Sequence, residues 1–111
     1  METKIVFVTI KLKRDYEKLK NSGSGEREIY KWLNSAFERL KKDPFCGIQI
    51  PSRLIPQEYR KKYRINNLWK LNMPEGWRLI YSVAADQVLI LAIILEWMNH
   101  KKYERRFGYT S

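Results

Sequence analysis

Cysteine and histidine are almost absent from this 111-residue chain, with Cys46 and His100 the only examples of each. A single cysteine excludes an internal disulfide, and with one histidine it leaves too few soft ligands for a structural zinc site. No metal and no cofactor is expected. Long apolar runs are missing too. The longest, Val88 to Leu95, has eight residues, whereas a membrane-spanning helix needs about 20. The amino-terminal METKIVFVTIKLK has charge on both sides of a short apolar stretch, unlike a secretory signal. The chain therefore reads as soluble, intracellular and cytoplasmic, with no membrane partner. It also lacks a Gly-rich phosphate loop, an HExxH helix and a GxSxG turn. The acidic residues are scattered among lysines, which gives no two-carboxylate hydrolase site. There is no internal repeat, low-complexity tract or linker, so residues 1–111 read as a single domain.

Negative charge is scarce as well. Lys and Arg number 22 against 12 Asp and Glu, a net charge of +10 and a pI near 9.8. That balance favours nucleic acid, an acidic protein or an anionic membrane surface as partner; simple solubility is the plain alternative. A hydrophobic fraction of 44% with regular apolar spacing still argues for a folded core.

Lys4 to Ile10 is β-branched and apolar, the signature of a strand. Leu12, Tyr16 and Leu19 follow at helical spacing, up to the turn Asn21-Ser22-Gly23-Ser24-Gly25. Ile29, Leu33, Ala36, Phe37 and Leu40 then fall on one face of a second helix, which Asp43-Pro44 ends because proline forces its predecessor into extended backbone. The two helices should form a hairpin. Three prolines break up residues 43–67, where only Gln57 to Tyr63 suits a helical turn or two. Arg60, Lys61, Lys62 and Arg64 form a basic cluster there, and a charge run of this kind is most often a solvated face.

Strands dominate from Asn67 onward. Leu68 to Met73, Trp77 to Ala84 and Gln87 to Glu96 are separated by Pro74-Glu75-Gly76 and Ala85-Asp86, links short enough to force antiparallel pairing. The run VLILAIIL does not alternate, so it reads as a central strand buried on both faces. Asn99 has the chemistry of an N-cap for a short terminal helix carrying Lys101, Lys102, Tyr103, Arg105 and Arg106. The expected fold is α+β: a three- to four-stranded antiparallel meander, a two-helix hairpin on one face and a short C-terminal helix.

Alternation places Trp77, Leu79, Tyr81 and Val83 on one side of their strand and Arg78, Ile80 and Ser82 on the other. Lys70 lies on the same side of its own strand as Leu68 and Asn72. Whether Lys70 and Arg78 meet depends on hairpin register. We expect that they do, on a sheet face left open by the helices, where a guanidinium grips phosphate with two hydrogen bonds and a lysine adds a point charge. An ordinary salt bridge for Arg78 and a solvated edge for Lys70 are the plain alternatives. His100, set among cations, has its basicity lowered if they are close, which suits proton transfer. Tyr103 and Tyr109 suit base stacking; equally, Tyr103 and Phe107, four apart, can pin the tail to the sheet. The four tryptophans, Trp32, Trp69, Trp77 and Trp97, read as core and interface and not as a stacking platform.

The segment LWKLNMPEGWRLIYSVAADQVLILAIILEW, followed by HKKYERRF, resembles the C-terminal half of RelE/ParE-superfamily toxins of type II toxin–antitoxin systems. The likeness covers about the last 44 residues; over the first 67 only the order strand, two helices, loop is shared. The resemblance implies a RelE-like fold and, in the RelE branch, an mRNA interferase. Such an enzyme is a ribosome-dependent, metal-independent endoribonuclease that activates the ribose 2′-hydroxyl against the adjacent phosphate. It further implies Arg78 at the scissile phosphate, Lys70 as a neutralising or proton-transferring lysine, Tyr103 near the nucleophile and His100 at a position held by Arg or His. A second strand lysine of RelE would fall at Leu68, so the basic set is incomplete; the substitutes at hand for contacting RNA are Arg60, Lys61, Lys62, Arg64, Lys101, Lys102, Arg105 and Arg106. Implied partners are mRNA, the ribosome and a cognate antitoxin in a hetero-oligomer. The alternatives are a ParE-like inhibitor of DNA gyrase without nuclease activity and an inactive RNA-binding homologue.

Overall fold

Residues 1–108 are described by a computed structural model. The β-branched start of the chain forms β1 (Glu2–Phe7), and Thr9 then caps α1 (Ile10–Leu19), its hydroxyl accepting from the Leu12 N–H at 3.0 Å. A turn at Asn21–Gly23 reverses the chain into α2 (Ser24–Lys42). The helices pack as the expected hairpin: the rings of Tyr16 and Tyr30 stack 5.0 Å apart, and Tyr16 donates to Asn34. The two-residue β2 (Ile48–Gln49), a 3₁₀ turn at Ser52–Leu54 and α3 (Gln57–Tyr63) occupy the proline-rich region. There follow β3 (Trp69–Asn72), β4 (Arg78–Ala85), β5 (Leu89–Met98) and α4 (His100–Phe107). Asn99 does cap α4, accepting from the Lys102 N–H at 2.9 Å.

The fold is α+β, four helices on a mixed five-stranded sheet of order β1-β5-β4-β3-β2. Strands β3, β4 and β5 form the expected antiparallel meander. Two strands extend the expected three- to four-stranded antiparallel sheet. β2 adds to the free edge of β3, and β1 pairs with β5 in parallel, from Glu2↔Leu89 to Phe7↔Ile94. Parallel pairing is open to β1 because two helices separate it from the meander. Nothing in its own residues says which edge it joins.

One side of the sheet is an apolar core. Leu33, Ala36, Phe37 and Leu40 of α2 meet Leu71, Leu79, Tyr81, Ala92 and Ile94, and at about 25 cal/mol per Å² of buried apolar surface this is the main stabilising layer. The opposite side is not open, which corrects the expectation. Ile50, Ile55, Tyr59 of α3 and Tyr103 of α4 close a second cluster over Leu68, Ile80, Leu95 and Met98. Ile80 and Leu95 are apolar positions on the face away from the hairpin, and they bury surface only because α3 and α4 cover them.

A β-bulge decides what else lies on that second face. Ile80 pairs with Glu96 but Tyr81 with Ile94, so Leu95 is an extra residue in β5. Strict alternation from Ile94 would put Glu96 in the helix-packed core. The bulge turns it to the other side, with Leu95 and Ile80.

Candidate functional site

Register settles the relation of the two strand cations. Lys70 pairs with Ile80 and Asn72 with Arg78, so Lys70 and Arg78 share the face away from the helical hairpin. Both reach the ring of Tyr103 from α4: Lys70 Nζ lies 4.8 Å and Arg78 Cζ 5.6 Å from its centroid, within cation–π range. Neither cation forms an ion pair among the described residues. Arg78 Nη1 makes one long bond to its neighbour's carbonyl, Trp77 O, at 3.3 Å, while its Nε is buried without a hydrogen-bond partner among those residues. Two half-buried cations with no ion-pair partner among the described residues favour an anion from outside.

Tyr103 is 3% exposed, its ring stacked on Phe107 at 4.4 Å. The pinning role is therefore the one observed, and no base can stack on this ring. The reason is the i, i+4 spacing, which sends both rings of α4 into the cluster of Ile80, Leu95 and Met98. Tyr109 lies outside the described residues. His100 is exposed in the first turn of α4, and its ring abuts the β3–β4 turn: a Cβ on Gly76 would lie 3.1 Å from His100 Nδ1. Gly76 sits at φ +78°, so the close approach and the left-handed backbone both call for glycine there.

The remaining basic residues divide by environment. Lys61, Lys62, Arg64, Lys101 and Arg105 are exposed. Arg60 is turned inward to Ser52, donating to its carbonyl at 2.7 Å and its hydroxyl at 2.8 Å. Lys102 and Arg106, one turn apart on α4, both grip Glu96, at 2.9 Å from Oε2 and 2.7 Å from Oε1. Their charge is thus spent in part within the molecule.

Sequence reasoning missed this Glu96 cluster. Tyr59 donates to Glu96 Oε1 at 2.8 Å and accepts from Arg106 Nη1 at 3.2 Å; Glu58 adds a longer contact to Arg106 Nε at 3.5 Å. Burial pushes the Tyr59 hydroxyl far above the usual tyrosine range, and the Glu96 charge pushes it further. Burial works against the Arg106 charge, yet Tyr59, Glu96 and Glu58 outweigh it and raise its basicity. One signal was present: Glu96 is a lone carboxylate at the end of an apolar run in a basic chain. Its orientation was not readable, because the bulge that turns it leaves no mark in the residue pattern.

Among the described residues no three His, Cys, Asp or Glu side chains gather as metal ligands, and no helix is long and apolar enough to cross a membrane. The described face thus combines a free Lys70–Arg78 pair, an exposed histidine and a charge-balanced flank. Compared with known proteins, the chain matches no protein-family model, no curated protein and no solved structure.

Proposed function

We propose that this protein is a RelE-like toxin, an mRNA interferase that cleaves translated mRNA on the ribosome and so arrests translation in the cytoplasm. What carries the reading is the strand register that sets Lys70 and Arg78 on one face, without carboxylate partners among the described residues, over one ring of the terminal helix. In this reading Arg78 binds the scissile phosphate and Lys70 neutralises charge as the ribose 2′-oxygen attacks phosphorus. The P–O5′ bond breaks, leaving a 2′,3′-cyclic phosphate and a 5′-hydroxyl. His100, exposed beside the β3–β4 turn, is the group available to accept the 2′-proton or return one to the leaving oxygen. Tyr103 serves by holding the two cations in place. The reaction needs no cofactor. A cognate antitoxin covers the cationic face with an amphipathic segment, forming a hetero-oligomer.

The burial of Tyr103 at 3% exposure favours a second reading. A ParE-like inhibitor of gyrase needs no tyrosine near a nucleophile. An inactive RNA-binding homologue would keep the basic face without turnover. Toeprinting of a translated message with the purified protein decides among them. The interferase cuts in the ribosomal A site, and Arg78→Ala abolishes the cut while the circular dichroism spectrum is unchanged. An uncut message, with DNA-damage signalling in cells instead, overturns the proposal in favour of the gyrase reading.

A further inference from the structure

The parallel pairing of β1 with β5 stops at Phe7↔Ile94, where the Val8 N–H still donates to Ile94 O at 2.9 Å. Beyond that point the chain leaves the sheet for α1, and no described strand pairs with the outer edge of β5 at Leu95–Trp97. A cleft of about 680 Å³ opens along this bare edge, walled by α1 on one side and by the end of α3 and the start of α4 on the other. Three different helices each contribute a lysine: Lys11, Lys62 and Lys102. Two rings, Tyr63 and Trp97, line it and are each only half-buried.

Its charges do not cancel. Asp15 is matched by Lys11 at 3.0 Å, and Glu96 is held by both Lys102 and Arg106. Among the lining residues Lys11, Lys62 and Lys102 face Asp15 and Glu96, which leaves one positive charge in excess, at Lys62. Half-exposed aromatic rings among cations from separate elements are the arrangement that takes single-stranded nucleic acid, where bases stack on rings and lysines track the phosphates. The bare strand edge adds backbone donors and acceptors that a base edge, but not a paired helix, can reach.

We infer that this cleft is a second RNA subsite, holding an unpaired nucleotide of the strand bound at Lys70 and Arg78. The inference rests on the RNA reading above, but its test is separate. The nucleotide belongs either to the message or to an unpaired segment of ribosomal RNA, and the chemistry is the same for both. The bulge matters here as well, since it turns Glu96 to the side where it fixes Lys102 at the cleft wall.

The experiment uses the whole protein with unstructured oligouridylates of three and nine nucleotides. Lys11 and Lys62 are exposed, so Lys11→Ala/Lys62→Ala leaves the fold intact. It should weaken the nonamer at least tenfold and leave the trimer, which fits at Lys70 and Arg78 alone, unchanged. The dependence of log affinity on log salt should flatten by about 1.4 for two lost phosphate contacts on a single strand. Nonamer binding should quench tryptophan emission, and Trp97→Phe should remove that quench. Equal loss for trimer and nonamer, an unaltered quench in Trp97→Phe, or tighter binding of oligoglutamate than of RNA would each overturn the subsite. To distinguish the sources, either an mRNA fragment or an unpaired ribosomal decoding-region strand must compete with the nonamer; competition by neither also overturns it. Failure of mRNA cleavage alone would remove the interferase reading and leave this binding result standing.

Discussion

The two sides of the sheet are made by the same strands, yet they are stabilised differently. Against α1 and α2, contacts are almost wholly apolar, with Leu33, Leu40, Leu79, Tyr81, Ala92 and Ile94 all near full burial. Against α3 and α4, a smaller apolar cluster is ringed by Lys70, Arg78, Glu96, Arg106 and Lys102. The first side holds the fold. The second holds charged groups in fixed positions, and each position there depends on a partner of opposite sign or on a ring.

Substitutions on the two sides should therefore separate stability from function. Leu33→Ala, at a site with 0% exposure, should cost the most, about 2–5 kcal/mol in urea denaturation, with RNA binding per folded molecule unchanged. On the other side, Glu96→Gln leaves Tyr59, Lys102 and Arg106 without their shared charge and should cost about 1.5–3 kcal/mol. A double-mutant cycle with Arg106→Gln tests the assignment: the pair of changes should cost little more than one alone. Additive costs would mean that Glu96 and Arg106 are not coupled.

Gly47→Ala probes both sides at once. A Cβ there would lie 2.6 Å from both the Lys70 carbonyl oxygen and the Tyr81 hydroxyl. Expected are a loss of about 1–3 kcal/mol and a reduced RNA affinity, because the backbone of Lys70 must shift. A loss of stability with RNA affinity intact would show that Lys70 is not placed by this contact.

Alkaline pH should act on both sides, through Tyr59 on the charged side and through Tyr81 and Tyr16 on the apolar one. Burial pushes the Tyr81 hydroxyl above the usual tyrosine range, only partly opposed by the Gly47 N–H, and Tyr16 is pushed up to about 12, chiefly by burial. An unfolded tyrosine loses its proton near about pH 10, where these folded ones keep theirs. The unfolded state then binds fewer protons, so stability is full below about pH 10 and declines as pH rises to about 12. Tyr81→Phe should make that decline shallower in pH-dependent denaturation; an unchanged slope would assign it elsewhere. The smallest effect on stability belongs to Arg78→Ala. Among the described residues its guanidinium forms no ion pair, so a change within about 0.5 kcal/mol is expected beside a loss of the proposed cleavage above about a hundredfold. This is the sharpest form of the contrast between the two sides.

Much of this contrast is legible in the chain. The hairpin of α1 and α2 follows from apolar spacing and the Gly/Ser turn, the meander from its short links, and the cap at Asn99 from its side chain. That Lys70 and Arg78 share a face was readable as one of the outcomes hairpin register allows, though nothing in the residues themselves set that register. The cover over the second face was not, because α3 is short, the stretch before it is broken by prolines, and the cover rests on single residues such as Ile55 and Tyr59. Nor was the cluster around Glu96, whose members lie far apart in sequence at positions 58, 59, 96, 102 and 106.

By itself the sequence determined the local elements, the basic character of the molecule and the side of its strand on which Arg78 projects, because each depends on residues within a turn or two of one another. Tertiary structure decided that β1 joins β5 in parallel, that the second face is covered, that Tyr103 is buried and that Glu96 turns towards α4. Those outcomes rest on which edge accepts a strand and on one inserted residue in a ladder. Both are set by the energy of the assembled sheet and not by the preference of any single segment.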